Sequence, residues 1–455
     1  MLELLERQQR LTTNQRKIIT TLVLVGILVS FDLLVIGFAA GYMSADRHLS
    51  HPQLPRIQLT AGCGGLLGAV VWGWLADRIG RRAVLFGTVL NTALATGMMA
   101  LTPEGDGFLV VAVCQSLASF GAAGALVPLV CVVQEFVPAS KRGWISAMAL
   151  WLVHLGSTGV VFAGLKLTPI IGWRGMLLTG LVPALSIILI WLWIPESPRW
   201  LICRGRLDEA RKSIAWALQI EPDWVETPAA SAKAPPQAWW RLFRYPRSIA
   251  VTCLTSLGQT GTVGSQQWAI FLLVSILNIT WGAPQLFYLV MGPGLAGFAG
   301  QFVVAYLSDT IGRRGTGMLC GFSAGVALVL AGLFRDMVLG GVSIFWLLVM
   351  IQSFFGSGSS VMIQPYAAEP WPKALRASGM GLALGIGYLS MALAPVGLAL
   401  IAGSSDYLGP KASLEVILPA MLYLAFWYLL VGFAFWLLAL ETSGRSIEAI
   451  DAALA

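Results

Sequence analysis

Twelve apolar runs divide this chain, and each is long enough to cross a hydrocarbon core as a helix, which takes about 20 residues. They fall near residues 18–43, 57–76, 83–102, 108–135, 143–168, 175–194, 247–276, 285–307, 315–334, 342–366, 377–403 and 414–440. Lipid offers no water to satisfy backbone N–H and C=O groups, so only helices and closed barrels can span it. No run alternates at period two over the roughly ten residues of a barrel strand, which leaves helices. Composition agrees, with 57% apolar residues and 11% charged where globular chains carry about 45–50% and 25%. The expected fold class is an all-α membrane protein with twelve transmembrane helices in two six-helix pseudo-repeats.

Charge placement sets the orientation. Of the 29 Lys and Arg residues, only Arg47, Arg56, Arg174, Arg335 and Lys411 fall in loops of one side, with Lys166 near the same end of span five. The rest crowd the other side, and cytoplasmic loops carry the Lys/Arg excess. This predicts an inner (plasma) membrane protein with both termini cytoplasmic. The organisation is a cytoplasmic N-terminus (1–17), a first six-helix bundle (18–194), a cytoplasmic linker (195–246), a second bundle (247–440) and a cytoplasmic C-terminus (441–455). The first run is too long for a signal-peptide core and reads as a retained span. Within the linker, Leu207, Ala210, Ile214 and Ala217 share one helix face, a pattern that can lie along a membrane surface. The stretch "VETPAASAKAPPQAWW" reads as flexible. A net charge of +7 placed at an inner membrane surface points to lipid rather than nucleic acid. The six cysteines lie in or beside apolar runs, and His48 and His51 have no partner ligands in sequence, so no disulfide framework, metal site or cofactor is expected.

The few charges recur in one place. "GWLADRIGRR" (73–82) and "AYLSDTIGRR" (305–314) share Leu, Asp and Ile-Gly-Arg-Arg at a separation of 232 positions. "EFVPASKR" (135–142) and "EPWPKALR" (369–376) share E-x-x-P-x-x-x-R, and "PESPR" and "ETSGR" follow spans six and twelve. The chain is therefore a duplicated six-helix unit. Gly73 allows helices to approach, and Asp77 can cap or pair. Gly80 permits a bend, after which Arg81 and Arg82 enter span three. Opposite charges on such a turn can lock neighbouring helix ends by charge-assisted hydrogen bonds. Asp77 and Arg81, with Asp309 and Arg313, are the expected locks. Glu135 and Arg142, like Glu369 and Arg376, belong to the same inner-face network, paired within each repeat or with the motif turns. The plainer reading makes all of them positive-inside anchors. Ala61, Gly65, Ala69 and Gly73 in span two, and Ala377, Gly381 and Gly385 in span eleven, form small-residue stripes suited to close packing.

These motifs resemble the major facilitator superfamily. "GWLADRIGRR" is similar to its signature G-x-L-x-D-R-x-G-R-R/K, and "PESPRWL" and "ETSGRSIEAI" resemble the sugar-porter and organic-ion branch. "RASGMGLALGIG" (376–387) is similar to span eleven of proton-coupled aromatic-acid and metabolite carriers. The resemblance covers residues 18 to about 450 and implies two parallel halves, a central cavity and alternating access. The chain departs from the pattern at Leu117 in span four and Tyr388 in span eleven, where relatives often carry Arg. Both departures remove an anchor for a carboxylate.

Polar residues inside spans mark the candidate site. Asp32 lies deep in span one, where a charge costs about 2.5–3.5 kcal/mol on insertion scales. It reads as a proton-coupling carboxyl or as a buried helix–helix hydrogen bond. His154 shares a face with Trp151 and reads as a second proton-coupling group or as a neutral core histidine. Gln259, Gln266, Gln267 and Trp268 in span seven, Gln301 in span eight and Gln352 in span ten offer uncharged donors and acceptors. Trp151, these residues and Tyr388 are the substrate-binding candidates, though some of the glutamines can simply bridge helices.

No phosphate-binding loop or nucleophile elbow occurs, so neither ATP hydrolysis nor any other enzymatic role is expected. The expectation is proton-coupled secondary transport of a small organic metabolite, an organic or aromatic acid by the branch resemblance, with a monomer as the working unit. A neutral sugar or polyol carrier is the nearest alternative, and a non-transporting substrate sensor on the same scaffold is another.

Overall fold

The computed structural model describes residues 2–6, 8, 10–45, 54–103, 107–225, 239–266, 284–403, 414–445, 449–450 and 452. Every one of the twelve apolar runs holds a helix. The first six are α2 (Thr13–Ala45), α3 (Leu54–Ile79), α4 (Arg81–Met99), α5 (Phe108–Phe136), α6 (Ala139–Leu178) and α7 (Val182–Trp193), with a short α1 (Glu3–Glu6) ahead of them. The linker adds α8 (Pro198–Cys203) and α9 (Leu207–Leu218). Span seven begins with α10 (Pro246–Leu257) and continues as α11 over 259–266, where the described residues stop. The remainder are α12 (Pro284–Thr310), α13 (Gly312–Leu333), α14 (Ile344–Tyr366), α15 (Arg376–Tyr388), α16 (Ser390–Ala402) and α17 (Ile417–Leu437). Among the described residues, eight helices are long and apolar enough to cross a membrane.

Breaks fall where the backbone chemistry requires them. α6 runs on past span five and bends at Gly172, whose φ of 69° is open to glycine and costly to other residues. One feature lies outside the helical expectation, a two-stranded hairpin pairing Val338–Leu339 with Val342–Ser343 around Gly340 and Gly341. Both turn glycines have positive φ, as a two-residue hairpin turn demands.

The chain forms two compact units. The first comprises Met1–Ile249, Ala367–Gly385 and Thr442–Ala455; the second comprises Ala250–Tyr366 and Ile386–Glu441. Two second-half segments thus pack with the first half, for reasons given below. One core of the first unit joins α2, α4, α5 and α6 through Val35, Met99, Val111, Trp173 and Leu177. In the second unit α13, α14, α16 and α17 meet around Leu328, Phe345, Leu398, Leu424 and Tyr428.

The linker helix corrects one expectation. The predicted apolar face of α9 exists, but the chain itself covers it. Ile214 and Ala215 pack on Leu5 of α1 and on Val225, while Ala210 packs on Trp200 and Leu201 of α8. The Thr12 hydroxyl donates to the Ala217 carbonyl, and Asn14 Nδ2 donates to the Trp216 carbonyl at 2.7 Å. A face filled by side chains is closed to lipid. The linker segment 226–238 lies outside the described residues. Ile214→Ala should cost about 2–4 kcal/mol locally and raise tryptic cleavage at Arg211 and Lys212 by more than about tenfold. An unchanged cleavage rate would return α9 to the membrane surface.

Candidate functional site

Each copy of the repeated turn closes two helix ends with a carboxylate from a distant segment. α4 starts directly after Gly80, which supplies no side-chain cap. Glu196 of "PESPR" takes that place: its Oε1 accepts from Arg81 N at 2.9 Å and Arg82 N at 3.4 Å, and its Oε2 from Arg82 N at 3.3 Å. A carboxylate on the orphan amides of a helix N-terminus also meets the positive end of the dipole. Arg82 Nη2 donates to the Trp191 carbonyl at 2.6 Å, satisfying an orphan acceptor near the end of α7. Gly80 is required twice, since φ is 108° and a Cβ would collide with Glu196 Oε2. Burial pushes the Glu196 carboxyl up from the ordinary range, against the downward pull of Ser197 N–H and of Arg81.

The second copy repeats the clip atom for atom. Gly312 has φ 84°, and a Cβ there would meet Glu441 of "ETSGR". Glu441 accepts from Arg313 N at 2.9 Å and Arg314 N at 3.1 Å. Arg314 Nη2 donates to the Trp436 carbonyl at 2.5 Å. Asp309 pairs with Arg313 at 2.5 Å, and the same guanidinium donates to the Ser308 carbonyl at 2.7 Å.

In the first copy Asp77 does more. It pairs with Arg81 at 3.1 Å and accepts from the backbone N–H and the hydroxyl of Ser378, each at 2.7 Å, and from Ala377 N at 3.3 Å. Its carboxylate therefore sits on the first turn of α15. The small-residue stripes of spans two and eleven mesh with each other beneath this contact. A Cβ on Gly73 would lie 2.6 Å from the Ala377 carbonyl oxygen and 2.9 Å from Gly381 Cα, and one on Gly385 would lie 2.8 Å from the Leu66 carbonyl oxygen. This contact is why residues 367–385 pack with the first unit.

Around it lies a buried cluster of arginines and carboxylates. Glu135 pairs with Arg81 at 3.4 Å, the motif-turn alternative, and the structure forms no ion pair between Glu135 and Arg142. Arg142 instead pairs with Glu6 of α1 at 2.8 Å and donates to the carbonyls of Gln134 and Arg445 at 3.0 and 3.2 Å. Arg199 reaches the same Glu6 oxygen at 2.8 Å and the Glu135 carbonyl at 2.6 Å. Glu369 accepts from the Thr442 hydroxyl. Arg376 is buried, and its Nε and Nη2 have no hydrogen-bond partner among the described residues. Glu196, Glu441, Ser378 and Glu6 carry roles that residue-by-residue reading missed. For the first two the signal was present, because "PES" and "ETS" recur after spans six and twelve.

The intramembrane candidates separate. Asp32 is 1% exposed, and neither carboxyl oxygen has a hydrogen-bond partner among the described residues. Thr96 of α4 is its polar neighbour, near but out of hydrogen-bond geometry, and a Cβ on Gly180 would lie 2.5 Å from Asp32 Oδ1. His154 Nδ1 meets the Leu150 carbonyl at 2.8 Å, one turn back on α6, and Trp151 is half-buried on the same helix. Gln352 is committed to packing: its Nε2 donates to the Tyr428 hydroxyl at 2.8 Å, which lies 3.1 Å from Thr262 Oγ1. Beside it a cavity of about 10 Å³ is lined by Ser265, Phe345 and Met421 among others, room for about one water and no solute. Buried Gln301 Oε1 and half-buried Gln259 Nε2 lack partners among the described residues. Gln266 is exposed, Tyr388 is half-buried, and Gln267 and Trp268 lie outside the described residues.

The clip geometry generates a paired expectation. Glu196→Ala and Glu441→Ala each strip the acceptor from two helix-end amides, so each should lower the unfolding free energy by about 1–3 kcal/mol. Denaturant titration in detergent micelles reads this directly, and two variants as stable as the parent would show that water serves those amides equally well.

The site can be set beside known proteins. The profile of the Sugar (and other) transporter family matches residues 18–454. The niacin transporter NiaP of Acinetobacter baylyi is 29% identical over 83% of this chain and 85% of its own length. The 4-hydroxybenzoate transporter PcaK of Pseudomonas putida is 26% identical over 84% of each chain. The fold matches the proton:xylose symporter XylE, solved with 6-bromo-6-deoxy-D-glucose, at a TM-score of 0.78 and 18% identity over 97% of this chain and 99% of that one. With a helix in each of the twelve apolar runs, a duplicated clip at the motif turns and a family match across almost its whole length, the chain belongs to the sugar (and other) transporter family of the major facilitator superfamily, a multi-pass membrane transporter of small solutes and not an enzyme.

Proposed function

We propose that this transporter couples the movement of an organic or aromatic acid to that of protons by alternating access, in the plasma membrane with both termini in the cytoplasm. One observation carries the coupling. Asp32 is buried, and neither of its carboxyl oxygens has a hydrogen-bond partner among the described residues. A dry site disfavours a charged carboxyl, and water contact restores it. A group that alternates between the two environments takes up a proton on one side and releases it on the other. The acid substrate class rests on likeness to carriers named for niacin and 4-hydroxybenzoate. His154 and Trp151, Gln259, Gln266, Gln267, Trp268, Gln301 and Tyr388 are the remaining substrate and proton candidates. Gln352 is the weakest of the set, since its amide is engaged by Tyr428.

A neutral sugar or polyol is the second reading. By the motif resemblance, Leu117 and Tyr388 stand where relatives often carry Arg, an anchor for a carboxylate that this chain lacks, and the matched fold is that of a xylose symporter.

In the same account Asp77, Arg81, Glu135, Arg142, Asp309, Arg313, Glu369 and Arg376 act as conformational locks. They hold helix ends in one access state and release them in the other, while Gly73 lets α3 and α15 meet closely enough for the lock to close.

Uptake of labelled 4-hydroxybenzoate, nicotinate and xylose into proteoliposomes, with and without a pH gradient, distinguishes the substrate classes. Asp32→Asn should abolish gradient-driven accumulation while leaving substrate binding and exchange in place, with His154→Gln as the comparison. Normal accumulation with normal pH dependence in Asp32→Asn would make that carboxyl structural.

A further inference from the structure

Where the linker reaches span seven, the sequence "WWRLFRYPR" (239–247) folds as a 3₁₀ turn over Trp239–Arg244 that leads into α10 at Pro246. Three residues per turn bring positions i and i+3 onto one line. The turn therefore sorts its side chains into three stripes. Leu242 is 2% exposed and packs with Trp371 and Leu375, and Tyr245 continues that inward line. Trp240 and Phe243 form a second line, 65% and 62% exposed. Arg241 and Arg244 form the third. Neither has a hydrogen bond or ion pair among the described residues, and Arg247 follows at the same spacing in the first turn of α10. Trp239, 44% exposed, packs edge-on to Phe243 at 5.8 Å, which stiffens the apolar edge.

A stripe of bare aromatic rings beside the guanidinium groups of Arg241 and Arg244, which have no partner among the described residues, is an unusual pairing for water on both sides. At the point where a helix enters a bilayer it matches one chemistry. Tryptophan and its neighbours settle at headgroup depth, and guanidinium forks bind phosphate oxygens bidentately. The excess of positive charge selects a lipid that carries net negative charge. The turn is also braced from behind: Leu242 rests on Trp371, whose ring fills the space over Gly379 of α15, where a Cβ would collide with it. A lipid seated on the outer stripes would press on a stiff surface rather than on a free loop.

We propose that residues 239–247 form a binding site for an anionic phospholipid of the inner leaflet, with Arg241 and Arg244 on the headgroup phosphate and Trp240 and Phe243 against the upper acyl chains. Occupancy stabilises the folded transporter. Each arginine contributes about fivefold to lipid affinity near an anionic surface, so removing both weakens it by about 25-fold.

The test is thermal unfolding of the full-length protein in mild detergent, titrated with phosphatidylglycerol, phosphatidylcholine or sodium phosphate. Arg206→Gln serves as the charge-loss control, because Arg206 is an exposed linker arginine already paired with Glu209 at 2.6 Å. Phosphatidylglycerol should raise Tm in the parent and in Arg206→Gln. Its half-effect concentration should rise about 25-fold in Arg241→Gln/Arg244→Gln, and its maximal effect should shrink in Trp240→Ser/Phe243→Ser. An unchanged response in the double-arginine variant would overturn the proposal. So would equal stabilisation by phosphatidylcholine, which would indicate a merely apolar contact, or by sodium phosphate, which would indicate a free-anion site.

Discussion

The Asp77 carboxylate holds a guanidinium, two backbone amides and a hydroxyl at once, and the motif-turn end of the first unit is arranged around that contact. Its partners come from α4 and from the first turn of α15, 300 residues downstream. Such a contact is strong because it is charge-assisted and because it meets the positive end of a helix. It also needs proximity. The bare backbones of Gly73 and Gly381 let α3 and α15 come close enough for the carboxylate to reach. The small-residue stripes and the charged turn are thus one device, and neither works without the other.

The duplicated glutamates obey a simpler logic. A helix that ends at a membrane surface leaves amides and carbonyls that lipid cannot satisfy. Glu196 and Glu441 satisfy the amides at the starts of α4 and α13. Arg82 and Arg314 satisfy carbonyls near the ends of α7 and α17. Glycine between the arms permits both the backbone conformation and the carboxylate's approach. This explains why a chain with few charges repeats them at equivalent places: each copy of the motif turn needs its own clip. The first copy has a further member, since Glu135 also binds Arg81.

Periodic and repeated features could be read from sequence because they follow local rules. Span number and the amphipathic face of α9 follow from the spacing of apolar residues, and the duplication follows from charged motifs repeated at equivalent positions. What that face would meet did not follow. Ile214 is equally suited to lipid and to Leu5, and only the fold brings the N-terminal helix over it. Glu6 gave no signal, because a glutamate in a polar N-terminal stretch looks solvated until Arg142 and Arg199 are seen to share it. Gln352 reads from sequence both as a solute contact and as a helix bridge. An amide deep in a span suggests a solute, yet Tyr428 and Thr262 complete its environment within the second unit. Asp32 was visible by its chemistry alone, but that its oxygens find no hydrogen-bond partner among the described residues needed the positions of α4 and of the turn at Gly180.

Asp77 fastens the start of α15, and amide hydrogen exchange reads that contact without relying on transport. In lipid nanodiscs the peptide covering residues 376–381 is followed in the parent and in Asp77→Ala. Charge-assisted hydrogen bonds worth about 1.5–3 kcal/mol predict that the Ala377 and Ser378 amides exchange about 10- to 100-fold faster in the variant. Equal exchange rates in the two proteins would contradict the account, because the first turn of α15 would then be held by something other than Asp77.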